Sequence, residues 1–169
     1  VDRTGQPYLL EVNTRIQVEN DISARISYLN NQQPSMIREQ IRLALGERAG
    51  YKQKDITFRG AAIELRIVAE DTRRGFAPWI GTINEFSFPR HDWSAVYSHV
   101  PSDRPYTIPS DFDPNLALAL VWADTMDEAK LRAAQFIDES VIRGKDSSGG
   151  AIITNLAYLK ENLDRLLTF

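Results

Sequence analysis

The sequence predicts an α+β fold, an antiparallel sheet with helices, and three observations lead to it. Apolar residues recur at helical spacing between residues 21 and 46. The period then drops to two, in short runs separated by turn residues, from about residue 61 to residue 122. Helical spacing returns from residue 125 onward.

Taken in order, "YLLEVNTRIQVEN" (residues 8–20) alternates like an amphipathic strand. Glu11, Asn13, Arg15, Gln17 and Glu19 fall on one side, and Val12, Thr14, Ile16 and Val18 on the other. A "DRTGQ" turn precedes it, so Val1 reads as the end of an earlier strand. A lone two-stranded hairpin is marginal, and the chain is therefore expected to be a piece of a larger polypeptide. "DISARISYL" follows with Ile22, Ile26 and Leu29 at helical spacing and Asp21 as the expected N-cap. After "NNQQ", Pro34 opens a second helix whose Met36, Ile37, Ile41 and Leu45 recur before Gly46 stops it. "ERAGYKQKD" is the expected boundary, giving domains of residues 1–50 and 51–169.

In "RGAAIELRIVAED", Ile63, Leu65 and Ile67 alternate with Ala62, Glu64, Arg66 and Val68, so Arg66 projects away from the core side. "TINEFSF", "SAVYSHV" and "LALALVW" read as three more strands, and Pro- and Asp-rich turns suggest one meander of about four strands. "TMDEAKLRAAQFIDESVI" opens with a capping box, Thr125 to Glu128, and carries Met126, Ala129, Ala133, Phe136, Ile137 and Val141 on one stripe. "RGKDSSGG" reads as a flexible loop, and Leu156, Leu159, Leu163 and Leu166 as a terminal helix. The tryptophans Trp79, Trp93 and Trp122 read as packing residues, His99 as a structural histidine, and "PRHDW" (residues 89–93) as a turn.

Composition narrows the function. The 169 residues are 43% hydrophobic with a formal charge of −3, which supplies no basic footprint for nucleic acid or an anionic membrane surface. No apolar run approaches 18 residues and no signal-peptide pattern is present, so a cytoplasmic location is the default expectation. With no cysteine, disulfides, thiol catalysis and thiolate metal sites are excluded. The two histidines, His91 and His99, lie far in sequence from the polar strand, which argues against a zinc site or a histidine triad there.

The polar face of residues 11–19 holds two carboxylates, two amides and a guanidinium, with no lysine. An ordinary solvated strand face, with Arg15 and Glu19 as a weak pair, would explain part of it. The composition points further. Glu11 and Asn13 are the hard oxygen ligands suited to Mg²⁺ on a nucleotide's phosphates. Arg15 offers a two-pronged fork for a planar oxyanion such as bicarbonate or a carboxylate, and Glu19 can serve as a general base.

"EVNTRIQVEN" resembles the signature of the biotin carboxylases, the ATP-grasp component of biotin-dependent carboxylases, whose pattern is Glu-x-Asn-x-Arg-x-Gln-Val-Glu-His. "IREQIRLALGE", "RGAAIELRIVAED" and "GFAPWIGTINEF" are similar, in order and spacing, to that family's helix, arginine-bearing strand and "F-x-P-x-x-G" turn. "VIRGKDSSGGAIITNLAYL" resembles its closing "I-x-G-x-x-T-N" segment with an insertion. Two places depart from the pattern: Asn20 stands where the family has histidine, and "SDFDPNLALAL" keeps Asp113 but replaces the family's lysine with alanine.

The resemblance implies the end of an ATP-grasp domain followed by the biotin carboxylase C-terminal domain. It assigns Glu11 and Asn13 to Mg²⁺ (or Mn²⁺), and Arg15, Gln17 and the Val18 backbone to bicarbonate. Glu19 becomes the base that deprotonates bicarbonate before attack on the γ-phosphate of ATP, and Arg66 the arginine that stabilises the biotin enolate. Implied partners are the N-terminal ATP-grasp portion of the same polypeptide, a biotin carboxyl carrier domain and a carboxyltransferase domain acting on an acyl-CoA. No glycine-rich phosphate loop occurs in the chain, so by itself it is expected to be inactive. Two other readings stand beside this one. Arg66 could be a surface residue paired with Glu64 or Glu70, and the whole chain a non-catalytic scaffolding module of a multidomain carboxylase.

Overall fold

A computed structural model describes residues 3–111 and 113–166, Leu166 by its backbone alone. Helix α1 (Asn20–Ile26) runs into strand β1 (Ser27–Leu29), and helix α2 (Met36–Ala44) follows. The strands β2 (Ile56–Phe58), β3 (Ala61–Val68), β4 (Glu70–Asp71), β5 (Ala77–Pro78), β6 (Thr82–Ser87), β7 (Ser94–Ser98), β8 (Tyr106–Thr107) and β9 (Asn115–Ala123) come next. Helix α3 (Met126–Glu139), strand β10 (Val141–Lys145) and the short helices α4 (Leu156–Glu161) and α5 (Leu163–Leu166) close the chain. Helices and antiparallel strands are segregated, as an α+β fold requires.

The strands do not form the single meander expected. They make two three-stranded antiparallel sheets, ordered β3-β9-β7 and β10-β6-β8, with two small ribbons, β1-β2 and β4-β5. The main sheet joins strands distant in sequence: Ala61 pairs with Ala123 and Ile67 with Ala117. Alternation puts Ile63, Leu65 and Ile67 on the face covered by α3, whose Ala129, Ala133, Phe136 and Ile137 are buried against it. The small alanines let the helix approach the sheet closely, and Phe136 fills the space between them.

Local chemistry sets the helix ends. Thr125 accepts a hydrogen bond from the Glu128 backbone N–H at 3.2 Å, half of the expected capping box, while the Glu128 carboxylate instead takes Arg132 at 2.6 Å. For α2, Ser35 is the cap, accepting from the Arg38 N–H, so Pro34 lies just before the helix rather than in its first turn. Gly46 stops it in the left-handed conformation, φ +86°. At α1 the cap position is Glu19, not Asp21, and no side chain caps it. The terminal helix is interrupted at Asn162, which splits it into α4 and α5.

Two further expectations need correction. Residues 8–20 form no strand: the segment is irregular and exposed up to the turn at 18–19, with Leu10 at 94% and Leu9 at 83% exposure. An alternating pattern makes a strand only when another strand takes its hydrogen bonds, and no described strand lies beside it. The strand expected to end at Val1 lies outside the described residues. "RGKDSSGG" is half strand: Arg143–Lys145 belong to β10, where Gly144 passes so close to β6 that a Cβ there would lie 2.5 Å from the Thr82 carbonyl oxygen. His99 is exposed, and its Nε2 lies 3.2 Å from the Tyr106 hydroxyl. Trp79 is buried as packing requires, and Asp92–Trp93 do form a turn.

Phe136 is fully buried, so Phe136→Ala is expected to destabilise the fold by about 3–5 kcal/mol, the usual cost of an emptied aromatic site. Urea denaturation checks it; a loss under about 1 kcal/mol would mean that α3 does not anchor the sheet.

Candidate active site

Arg66 sits near the end of β3, on the sheet face opposite α3. Directly across the sheet lie Leu118 on β9 and then Tyr97 on β7, so Arg66 and Tyr97 belong to one row on one face. Glu64 is the next residue of β3 on that face, and α1 packs against β3 and β9.

Just beyond Arg66 the β3–β9 ladder slips by one residue: Ile67 opposes Ala117, but Val68 opposes Asn115. The bulge turns the chain before β9 outward and brings Asp113 to Arg66. Asp113 uses both its oxygens. Oδ1 accepts from the Asn115 backbone N–H at 3.0 Å, and Oδ2 takes Arg66 Nη2 at 3.2 Å. Both side chains of this pair are more than half exposed, so it adds at most about 1 kcal/mol of stability and serves to orient the guanidinium. The partner foreseen as Glu64 or Glu70 is thus Asp113. Around the pair lies a cavity of about 650 Å³ lined by Arg66, Val68, Glu70, Asp113, Pro114, Asn155 and Leu159.

The acidic side of the site comes from the start of α1. Burial pushes the Glu64 carboxyl above its ordinary value, and the negative charges of Glu19 and Asp21 push it further, while Arg66 pulls the other way. The charges of Glu19 and Asp21 act on Glu64, the neighbour of Arg66 on that face of β3, while Glu19 itself does not line the cavity at Arg66. Glu64 Oε2 is buried without a hydrogen-bond partner. Burial also raises the Tyr97 phenol, and the neighbouring Asp21 carboxylate raises it further.

The other foreseen residues are less assembled. Glu11, Asn13 and Arg15 are exposed; Arg15 Nη1 donates to the Ile16 carbonyl at 3.2 Å. Gln17 is half-buried, and its carbonyl accepts from the Asn20 side chain at 2.9 Å, with the Val18 carbonyl at 3.4 Å. Among the described residues no three His, Cys, Asp or Glu side chains gather as a metal site. Glu11 and Asn13 fit a hard divalent cation in kind, but two oxygens leave most of an octahedral shell to other donors.

Sequence reasoning missed Asn155. It is buried beside Arg66 and bonds the backbone on either side of Ile67, although the "TN" of the closing segment was in view.

The sequence profile of the biotin carboxylase C-terminal domain matches residues 64–165. The chain belongs to the biotin carboxylase family. It is 40% identical over 164 residues to biotin carboxylase 2, chloroplastic, of Populus trichocarpa, covering 97% of this chain and 28% of that protein. To the 2-oxoglutarate carboxylase small subunit of Hydrogenobacter thermophilus it is 38% identical over 143 residues, 85% of this chain and 29% of the relative. The crystal structure of the Hydrogenobacter thermophilus 2-oxoglutarate carboxylase biotin carboxylase domain dimer, in complex with MgADP, ADP and bicarbonate, superposes with a TM-score of 0.81 at 34% identity, over 96% of this chain and 33% of that one. The chain therefore spans under a third of the length of these curated relatives. No helix among the described residues is long and apolar enough to cross a membrane.

Because its raised pKa means the fold favours neutral Glu64, the wild-type chain loses stability as pH climbs from the ordinary glutamate value, about 4.3, through the raised one. Glu64→Gln is expected to be more stable than wild type at pH 7 and equal to it near pH 4. Denaturation midpoints at the two pH values check this; a variant less stable at pH 7 would mean that the ionised carboxylate is held by a favourable partner.

Proposed function

We propose that this chain is the C-terminal part of a biotin carboxylase, which uses ATP and bicarbonate to carboxylate biotin on a carrier domain for delivery to an acyl-CoA at a carboxyltransferase domain. The observation that carries the reading is Arg66, held by Asp113 at the wall of an open cavity, in a chain of this family. Residues 1–50 then complete an ATP-grasp domain and residues 51–169 form the C-terminal domain. The exposed apolar side chains of Tyr8, Leu9, Leu10 and Val12 suit a segment that gains its neighbouring strand from the N-terminal portion of the same polypeptide.

Each residue has a role set by its chemistry. The Arg15 fork, the Gln17 amide and the Val18 backbone hold bicarbonate in plane. Glu19 takes the bicarbonate proton, so that the freed oxygen attacks the γ-phosphate of ATP and gives carboxyphosphate and ADP. Glu11 and Asn13 supply two oxygens to Mg²⁺ or Mn²⁺, which when bound neutralises phosphate charge. Arg66, its Nη2 steadied by Asp113, directs its remaining N–H groups at the ureido oxygen of biotin as negative charge develops there. A guanidinium that never deprotonates is suited to that task at any working pH.

The test uses the full-length parent polypeptide. Glu19→Ala and Arg66→Ala are each expected to lower bicarbonate-dependent carboxylation of free biotin on the order of a hundredfold or more, with ADP release and carboxybiotin both measured. Variants as active as the parent would favour the non-catalytic scaffolding role, in which this face docks carrier or carboxyltransferase domains.

A further inference from the structure

We propose that Asn155 is a positioning residue for Arg66, holding the arginine's backbone in place while Asp113 holds its guanidinium; this role rests on the carboxylase reading of the site. Among the described residues β3 is an edge strand, paired with β9 on one side only, and the end that carries Arg66 lies next to the bulge where that pairing slips. Left alone, the free edge would be the loosest part of the sheet, since each ladder bond there is lost or shared with water.

Asn155 takes the place of a neighbouring strand. Its Oδ1 accepts from the Val68 N–H at 2.9 Å, its own backbone N–H donates to the Val68 carbonyl at 3.1 Å, and its Nδ2 donates to the Arg66 carbonyl at 2.8 Å. The bonds span 87 and 89 residues of sequence and are buried or partly buried. Asn155 is also the N-cap residue of α4, where an asparagine side chain ordinarily caps its own helix. Here it makes no cap bond and turns to β3 instead. An asparagine matches the demand because it is both acceptor and donor at one end, so it can serve an N–H and a C=O two residues apart.

The next turn of α4 brings Leu159 to the wall of the same cavity. The closing segment thus fixes the floor under Arg66 and one side of the space in front of it. A shift of β3 along its free edge would move the guanidinium relative to any substrate anchored by residues 11–19, and displacements near 1 Å cost on the order of a hundredfold in rate.

The test compares two reactions of the full-length parent: carboxylation of free biotin, which uses Arg66, and the slow bicarbonate-dependent ATP cleavage measured without biotin, which does not. Asn155→Asp keeps the acceptor for Val68 and removes the donor to Arg66; Asn155→Leu removes both. Expected is a fall in kcat for carboxylation on the order of tenfold to a hundredfold, larger for Asn155→Leu. ATP cleavage and the KM values for ATP and bicarbonate stay within about twofold. Loss of both reactions together would reduce Asn155 to general fold support and overturn the proposal, as would no loss of either. Amide exchange at Val68 separates this from failure of the carboxylase reading. If the parent itself forms no carboxybiotin, faster exchange of that single amide in Asn155→Leu still supports the clamp, and unchanged exchange overturns it.

Discussion

The pairing of β3 with β9 is the constraint on which the rest of the molecule depends. It unites segments some fifty residues apart and gives α3 a flat apolar face to cover, so that Leu65, Ile67 and Val121 become fully buried. Each such side chain contributes on the order of 1.5–3 kcal/mol through burial, far more than any surface ion pair in the chain. Because β9 is flanked by β7 on its other side, β3 is an edge strand among the described residues, and the end that carries Arg66 has no strand partner there. A bulge there sends Asp113 to Arg66, and Asn155 occupies the vacant edge. The stability of the core and the freedom of the site are consequences of one sheet order.

The two faces of that sheet do different work. On the α3 side, packing is dense and apolar. On the α1 side, Glu64, Arg66 and Tyr97 share a face with the acidic start of α1, and the buried, unbonded oxygen of Glu64 is a local cost. A carboxylate kept next to like charges lowers stability, and enzymes retain such arrangements where a site needs a field of a given sign. Here Glu64 feels the negative charges of Glu19 and Asp21 on one side and the positive charge of Arg66 on the other.

How much of this was legible in the sequence follows from the range over which each feature is determined. The α3 helix, its Thr125 cap and its apolar stripe are set within a dozen residues, and so is the alternation that aims Arg66 away from the core. Strand pairing is not local. The β3–β9 register, the two separate sheets and the Arg66–Asp113 pair depend on contacts that no short window contains. Gly144 looked like loop material because glycine and serine dominate its neighbourhood, yet it is glycine because two strands come too close there for any side chain. The motif of residues 11–19 was readable as chemistry but not as a strand, since the strand needs a neighbour that the described residues do not offer.

The central claim is that Arg66 meets the group on which charge develops. The most direct measurement is a crystal structure of the full-length parent with biotin, bicarbonate and MgADP. The account predicts the ureido oxygen of biotin about 2.7–3.1 Å from the Arg66 guanidinium, the distance expected of an oxyanion donor, with bicarbonate on Arg15 and the Glu19 carboxylate facing it. Biotin bound elsewhere, with Arg66 still turned only to Asp113, would contradict it.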